Sequence, residues 1–232
     1  MERREFVTLC AASAAGVTLP EAQGAPLTAR MYSRTKLVDD SRAPVRLASL
    51  KAGTNYIFDY PFSATPCFLL RLDRPVAAGV DLRTETGQAY KWEGGIGDGK
   101  SIVAYSAICA HKMTYPTKQV SFIGYRNEPS PVAGRGKVIT CCSDRSVYDP
   151  AFGARVVSGP APQPLATILL EHDAKADETF AVGTFGGEMF AEFFRKYEFR
   201  LQLEMGPRAK ASVEGVTVVR ALENYSTQWA KC

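Results

Sequence analysis

Two short segments constrain this chain more than any other feature: Cys109-Ala110-His111 and Cys141-Cys142-Ser143-Asp144. Each ends a β-branched, aromatic run, "SIVAYSAI" before the first and "KVIT" before the second. Runs of that kind read as buried strands, so each group of donors opens a loop at a strand end. A thiolate and an imidazole on one loop, with a cysteine-bearing second loop, complete four ligands for zinc or an iron–sulfur cluster. They serve a metal only if both strands deliver their ends to the same edge of a sheet. Spacing alone leaves zinc and iron both open.

The remainder of the chain supplies such a sheet. "NYIFDYPF", "CFLLRLD", "QVSFIGYR", "ARVVSG", "TILLEHD" and "TFAVGTFG" are short runs rich in Val, Ile, Tyr and Phe, with Gly, Pro, Asn or Asp between them. Short strands at regular spacing predict an all-β, antiparallel sandwich or barrel. "GEMFAEFFRKYEFRLQLE", from Gly187, departs from this with aromatics at a roughly helical period; a further strand is the alternative, because Phe199, Leu201 and Leu203 alternate. The tail from Val213 to Cys232 is strand-like and then irregular, and is expected to be an arm that packs on another subunit. The expected division is a leader over 1–26, a β domain over 27–186 with its metal-binding part at about 102–165, and a helix and arm over 187–232. A net charge of +4 spread over 232 residues gives no basic stripe for nucleic acid.

The chain opens with Arg3-Arg4, then a weakly apolar run from Phe6 to Leu19, Pro20 and small residues. This is the twin-arginine signal pattern, and the run is shorter than the ~20 residues that span a bilayer. It predicts export to the periplasm or to the periplasmic face of the inner membrane, with the segment cleaved near Gly24-Ala25 or kept as a shallow membrane anchor. Leu9 before Cys10 is too bulky for a lipoprotein signal. The twin-arginine route carries folded proteins, which favours a cofactor inserted before export. Of the six cysteines, Cys67 in "PCFLLRLD" reads as a buried apolar thiol, and Cys232 as free or anchored to a partner.

The flanks of the two loops separate iron from zinc. "SIVAYSAICAH" and "CCSDRSVYDPAFGARVVSGPAP" resemble the ligand loops and proline loop of Rieske-type [2Fe–2S] proteins, the subunits of cytochrome bc complexes and arsenite oxidase, over roughly Ile102 to Gly183. The resemblance implies a Rieske-like β-sandwich with an inserted cluster-binding subdomain and a [2Fe–2S] cofactor. It makes Cys109, His111 and Cys141 ligands. It makes Ser146 and Tyr148 the hydroxyl donors that raise the potential, and Gly159, Pro160, Ala161 and Pro162 the loop over the cluster. This sequence departs from the pattern at three places. The family's loop-to-loop disulfide would need cysteines at Thr114 and Ser143; an insertion, "VSFIGYRNEPSPVAGRG", lengthens the stretch between the loops; and Asp144 stands where the second histidine belongs.

Counting back from Tyr148 puts Asp144 on the missing ligand. A register one residue shorter would use Cys142 and Arg145, but arginine stays protonated and cannot ligate a cation. Cys142 is the alternative fourth ligand, at the cost of strain between adjacent cysteines. A carboxylate in place of an imidazole adds a negative charge, which lowers the potential relative to a two-histidine site. The resulting reading is an electron-transfer subunit, without substrate chemistry of its own, that relays electrons to other subunits of a redox complex such as a cytochrome or molybdenum subunit. The alternatives are a structural subunit that keeps the fold without the cluster, and a small zinc-binding domain.

Two further features carry no such weight. Gly94 to Ser101, "GGIGDGKS", matches a phosphate-loop pattern but leads into a strand-like run, so it reads as a turn and no nucleotide is expected. His172, in the polar turn "LLEHDAK", reads as a surface histidine and not a ligand.

Overall fold

The structure is a computed structural model and describes residues 27–232. The twin-arginine segment, with Arg3-Arg4 and Cys10, lies outside the described residues. In chain order the strands are β1 (Arg30–Val38), β2 (Tyr56–Asp59), β3 (Pro66–Arg71), β4 (Val80–Arg83), β5 (Ala89–Trp92), β6 (Ile102–Ser106), β7 (Val120–Ser121) and β8 (Ile123–Arg126). They continue as β9 (Val138–Cys141), β10 (Ser146–Asp149), β11 (Arg155–Ser158), β12 (Thr167–Asp173) and β13 (Glu178–Phe185). Two helices follow, α1 (Met189–Lys196) and α2 (Glu198–Met205), then β14 (Val216–Val218), β15 (Arg220–Ala221), α3 (Leu222–Tyr225) and β16 (Gln228–Trp229).

The large sheet has 8 strands in the order β14-β1-β13-β12-β6-β3-β2-β15. Its two edge strands are neighbours in the chain, separated only by Val219. The sheet therefore curls until its edges approach, and the Val219 N–H bonds to the Val38 carbonyl, extending the β14–β1 pairing up to the start of β15. Period-2 alternation then sorts the side chains. On β3 and β6, Cys67, Leu69, Ile102 and Ala104 point inward to a core shared with Leu37, Phe58, Ile168 and Ala181. Their neighbours Phe68, Leu70, Val103 and Tyr105 point outward to a second core. Cys67 is the buried thiol expected, with its Sγ 3.0 Å from the Tyr60 carbonyl.

The second core holds the site. Strands β7 to β11 are inserted in the chain between β6 and β12, which pair with each other in the large sheet. Four of them form a sheet in the order β11-β10-β9-β8 that packs over the outward face. The fold is mostly β, as the strand pattern predicts, and most pairings are antiparallel. Two are not: β14 runs parallel to β1, and β16 parallel to β7.

The segment after Gly187 is helical from Met189 to Met205, in two pieces broken at Tyr197, and not a further strand. The first piece buries Met189, Phe190, Phe193 and Phe194, each worth about 2 kcal/mol of apolar burial. The tail corrects an expectation: the arm packs on its own chain. It supplies β14 and β15 to the large sheet, and β16 to β7. Gly124 permits the last contact, because a Cβ there would meet the Trp229 indole at 2.7 Å. The segment from Gly94 to Ser101 contains a 3-10 turn at Asp98–Lys100 and enters strand β6, with no α-helix behind it. His172 lies near Thr179 and Asp177 on the β12–β13 hairpin.

Candidate metal centre

Loop 1 leaves β6 and turns tightly. The Ser106 hydroxyl accepts the Ile108 N–H, the Cys109 N–H bonds to the Thr114 carbonyl at 2.8 Å, and the Met113 N–H returns to the Cys109 carbonyl at 2.9 Å. Loop 2 is the connection of the β9–β10 hairpin. Cys141 and Ser146 are paired across it, and the Arg145 N–H closes onto the Cys141 carbonyl at 2.8 Å. Arg145 takes a positive φ of 64° to do so. Both loops emerge on the same side of the second core, so the two strand ends meet as the donor pattern requires.

Their side chains converge. Cys109 Sγ, Cys141 Sγ and an Asp144 oxygen all lie within 4.8 Å of one another. Asp144 Oδ2 is 3.1 Å from Cys109 Sγ and 3.1 Å from His111 Nδ1, while its Oδ1 accepts the Ser146 N–H at 2.9 Å. The Asp144 side chain is 1% exposed, whereas that of His111 is 35% exposed. The carboxylate is therefore an inward donor, and the imidazole sits at the site's outer edge. Burial works against ionisation of Asp144, but the Ser146 N–H and the Cys109 thiol hold its carboxyl below the ordinary range. A hydrogen bond from Cys141 pulls the Cys109 thiol down against the opposing effect of burial, and the Cys141 thiol is pushed up in turn. Of the two sulfurs, Cys109 is the better anion.

The surrounding groups fit a sulfur-rich occupant. The Tyr148 hydroxyl accepts the Ala110 N–H at 3.2 Å and lies 3.2 Å from Cys109 Sγ, which leaves its proton for the sulfur. The Ser146 hydroxyl is buried with no partner among the described residues. An orphaned buried hydroxyl costs about 1–3 kcal/mol, and an acceptor such as a sulfide would remove that cost. Gly159 brings the proline loop directly onto loop 2: a Cβ there would stand 2.4 Å from the Arg145 carbonyl oxygen, and its φ is 90°. Pro160 follows on the exposed side and Ala161 is buried in the second core.

Cys142 is not a ligand. It forms a disulfide with Cys232, 90 residues away, so its sulfur is no free donor. The side chains of β9 alternate across the hairpin: Cys141 turns inward and Cys142 turns out toward the arm. Neither expected state of Cys232, free or anchored to a partner, is found. The Arg126 guanidinium also bonds to the Cys232 carbonyl oxygen. Thr114 and Ser143, where the related pattern has its disulfide, instead line a cavity of about 370 Å³ between the loops, walled by Tyr197 and Arg200. Sequence reasoning missed these supports. The aromatic group of Tyr115, Phe193 and Tyr197, with ring centroids 5.0 to 5.4 Å apart, backs loop 1 from the helices. The doubled cysteine at 141–142 was the available signal that one sulfur needed a different partner.

No family model matches the chain. Among solved structures it is similar to the soluble domain of the Rieske protein II from Sulfolobus acidocaldarius, at 27% identity and a TM-score of 0.45, over 66% of this chain and 78% of that one.

Proposed function

We propose that this chain is an electron-transfer protein whose two loops hold a [2Fe–2S] cluster through Cys109, Cys141, His111 and Asp144. The observation that carries this reading is the convergence itself: two thiols and a buried carboxylate within 4.8 Å, with an imidazole on the carboxylate at 3.1 Å. The orphaned Ser146 hydroxyl and the Tyr148 phenol support a sulfur-bridged cluster over a bare ion, because both lie in the shell that would face sulfur.

When bound, the cluster supplies a one-electron couple. The residues of this chain set how it is used. Tyr148 donates toward the Cys109 sulfur, which favours the reduced state. Asp144 adds a negative charge inside the site, which disfavours it. The proline loop at Gly159 to Pro162 and the core residues beneath exclude water on the inner side, and His111 forms the accessible edge. No group in the site is arranged to activate a substrate, so the role is relay and not turnover. We place the chain as a subunit of an exported or membrane-associated oxidoreductase at the periplasmic face of the membrane, with a cytochrome or molybdenum subunit as partner. The twin-arginine leader and the resemblance of the loops support that placement.

The test is anaerobic purification followed by iron, sulfide and zinc analysis, and EPR after dithionite reduction. About two irons and two sulfides per chain, with a rhombic signal of average g below the free-electron value, is the expected result. Zinc without sulfide would replace this reading with a single tetrahedral ion, and neither metal would leave a structural subunit.

A further inference from the structure

Away from the metal centre, a cavity of about 520 Å³ opens between the start of the β2–β3 hairpin, the segment after loop 1, and helices α2 and α3. That volume is in the range of small-molecule sites. At its inner end lies the Asp59 carboxylate, which has no hydrogen-bond or ion-pair partner among the described residues; only the Asp59 backbone carbonyl is used, by the Thr217 hydroxyl. Burial pushes this carboxyl up to about 7, against the opposing charge of Arg220. Arg220 also lines the cavity, with its guanidinium paired to Asp40, Nε to Oδ1 2.6 Å. Two phenols line the same cavity. The Tyr115 hydroxyl is buried and unpartnered, and burial, Asp59 and Tyr115 together raise the Tyr225 phenol. One carboxyl and two phenols thus line the cavity, and neither the Asp59 carboxyl nor the Tyr115 hydroxyl has a hydrogen-bond partner among the described residues.

The mouth has the opposite character. Lys118 and Arg208 are exposed there, and neither pairs with a carboxylate among the described residues. The nearby Glu204 is engaged with Arg200 at 2.8 Å. Between the two ends the wall is apolar, with Leu201 and Met205 from α2.

We infer that this cavity binds a small amphoteric molecule, with an ammonium group on Asp59 between Tyr115 and Tyr225, a short apolar body along Met205, and an anionic group at Lys118 and Arg208. An ammonium brings three N–H donors that the Asp59 carboxylate and the phenol oxygens can accept, and phenol rings add cation–π attraction. A carboxylate at the other end meets two cations that otherwise face only water. An amino-acid-like ligand satisfies both ends at once, and a plain amine or a plain acid satisfies one.

Calorimetric titration of the full chain with 6-aminohexanoate, hexylamine and hexanoate tests this, whether or not the protein carries a cluster. The aminohexanoate is expected to bind most tightly, the amine several-fold more weakly, and the acid at least about tenfold more weakly than the aminohexanoate, a difference of ~1.4 kcal/mol. Asp59→Asn should weaken both ammonium ligands about tenfold. Arg208→Gln with Lys118→Gln should reduce the aminohexanoate to the level of hexylamine. Met205→Trp, which fills the apolar wall without touching Asp59, should abolish binding of all three while circular dichroism stays native. Equal binding of hexanoate, an unaffected Asp59→Asn protein, or no heat from the aminohexanoate up to about 10 mM overturns the inference.

Discussion

At the scale of single residues, Asp144 and Tyr148 pull the site in opposite directions. Asp144 is almost wholly buried and touches both Cys109 Sγ and His111 Nδ1. A histidine there would remove one negative charge from the shell, and electron affinity rises as net charge becomes less negative. Asp144→His is expected to raise the midpoint potential of the reconstituted protein, measured by EPR-monitored titration; an unchanged potential would show that Asp144 does not bind iron. Tyr148→Phe should do the reverse. It deletes a hydrogen bond of about 1 kcal/mol to the Cys109 sulfur, equivalent for one electron to a fall on the order of 40 mV. The ring itself stays buried in the second core, so the melting temperature should change little in comparison. A fall in stability without a fall in potential would assign Tyr148 to packing alone.

At the scale of elements, the two loops are held differently from the resemblance's pattern, and the difference lies in the arm. Thr114 and Ser143 offer no bridge between the loops. Loop 2 is tied instead through Cys142 to Cys232, and the arm around β16 adds N–H bonds from Thr227, Gln228 and Ala230 to the 118–121 segment. Cys232→Ser should cost roughly 3–5 kcal/mol, as expected for a disulfide closing a long loop, and should speed loss of iron under chelator. Both are read by comparing melting temperature and the decay of visible absorbance with those of the wild-type protein. If stability falls but iron retention does not, the arm braces the fold without bracing the site.

This is also where sequence legibility ended. Strand positions, the helical period after Gly187 and the donor loops are local patterns, and local patterns survive translation into structure. Asp144 was readable because the Ser-x-Tyr-Asp flank fixes its register within the hairpin. The Cys142–Cys232 pairing joins residues remote in the chain, and nothing near either cysteine encodes the other. The same holds for β14 and β15. Three-residue and two-residue strands carry too little periodicity to announce that they close a sheet, and their role depends on where both its edges lie.

At the scale of the whole molecule, that closure has an electrostatic consequence. By passing Thr217 and Arg220 across the end of β2, the tail covers Asp59; the Thr217 hydroxyl bonds to its carbonyl, and Arg220 pairs in the sheet with Ile57, two residues before it. Burial then raises the Asp59 carboxyl to about 7, with Arg220 lowering it in part, from an ordinary 3.8. The groups around it are the Arg220 guanidinium, already on Asp40, the Tyr225 phenol and the Cys67 thiol, both of which burial keeps neutral. A carboxyl with a folded pKa above its unfolded one holds a proton in the native state after the unfolded chain has lost it. Its contribution to stability is therefore complete below about pH 4 and is lost as pH rises toward 7, with a slope of up to about 1.4 kcal/mol per pH unit. The total is on the order of 2–4 kcal/mol, the lower end applying because the carboxyl is partly accessible from its cavity. Denaturant unfolding at intervals from pH 5 to 8 should show the wild-type protein losing stability relative to Asp59→Asn across that window, the two curves running parallel above it. The comparison cancels the contributions of every group the two proteins share. Parallel curves throughout would mean that Asp59 is solvated in the native state, and that closing the sheet leaves its end open to water.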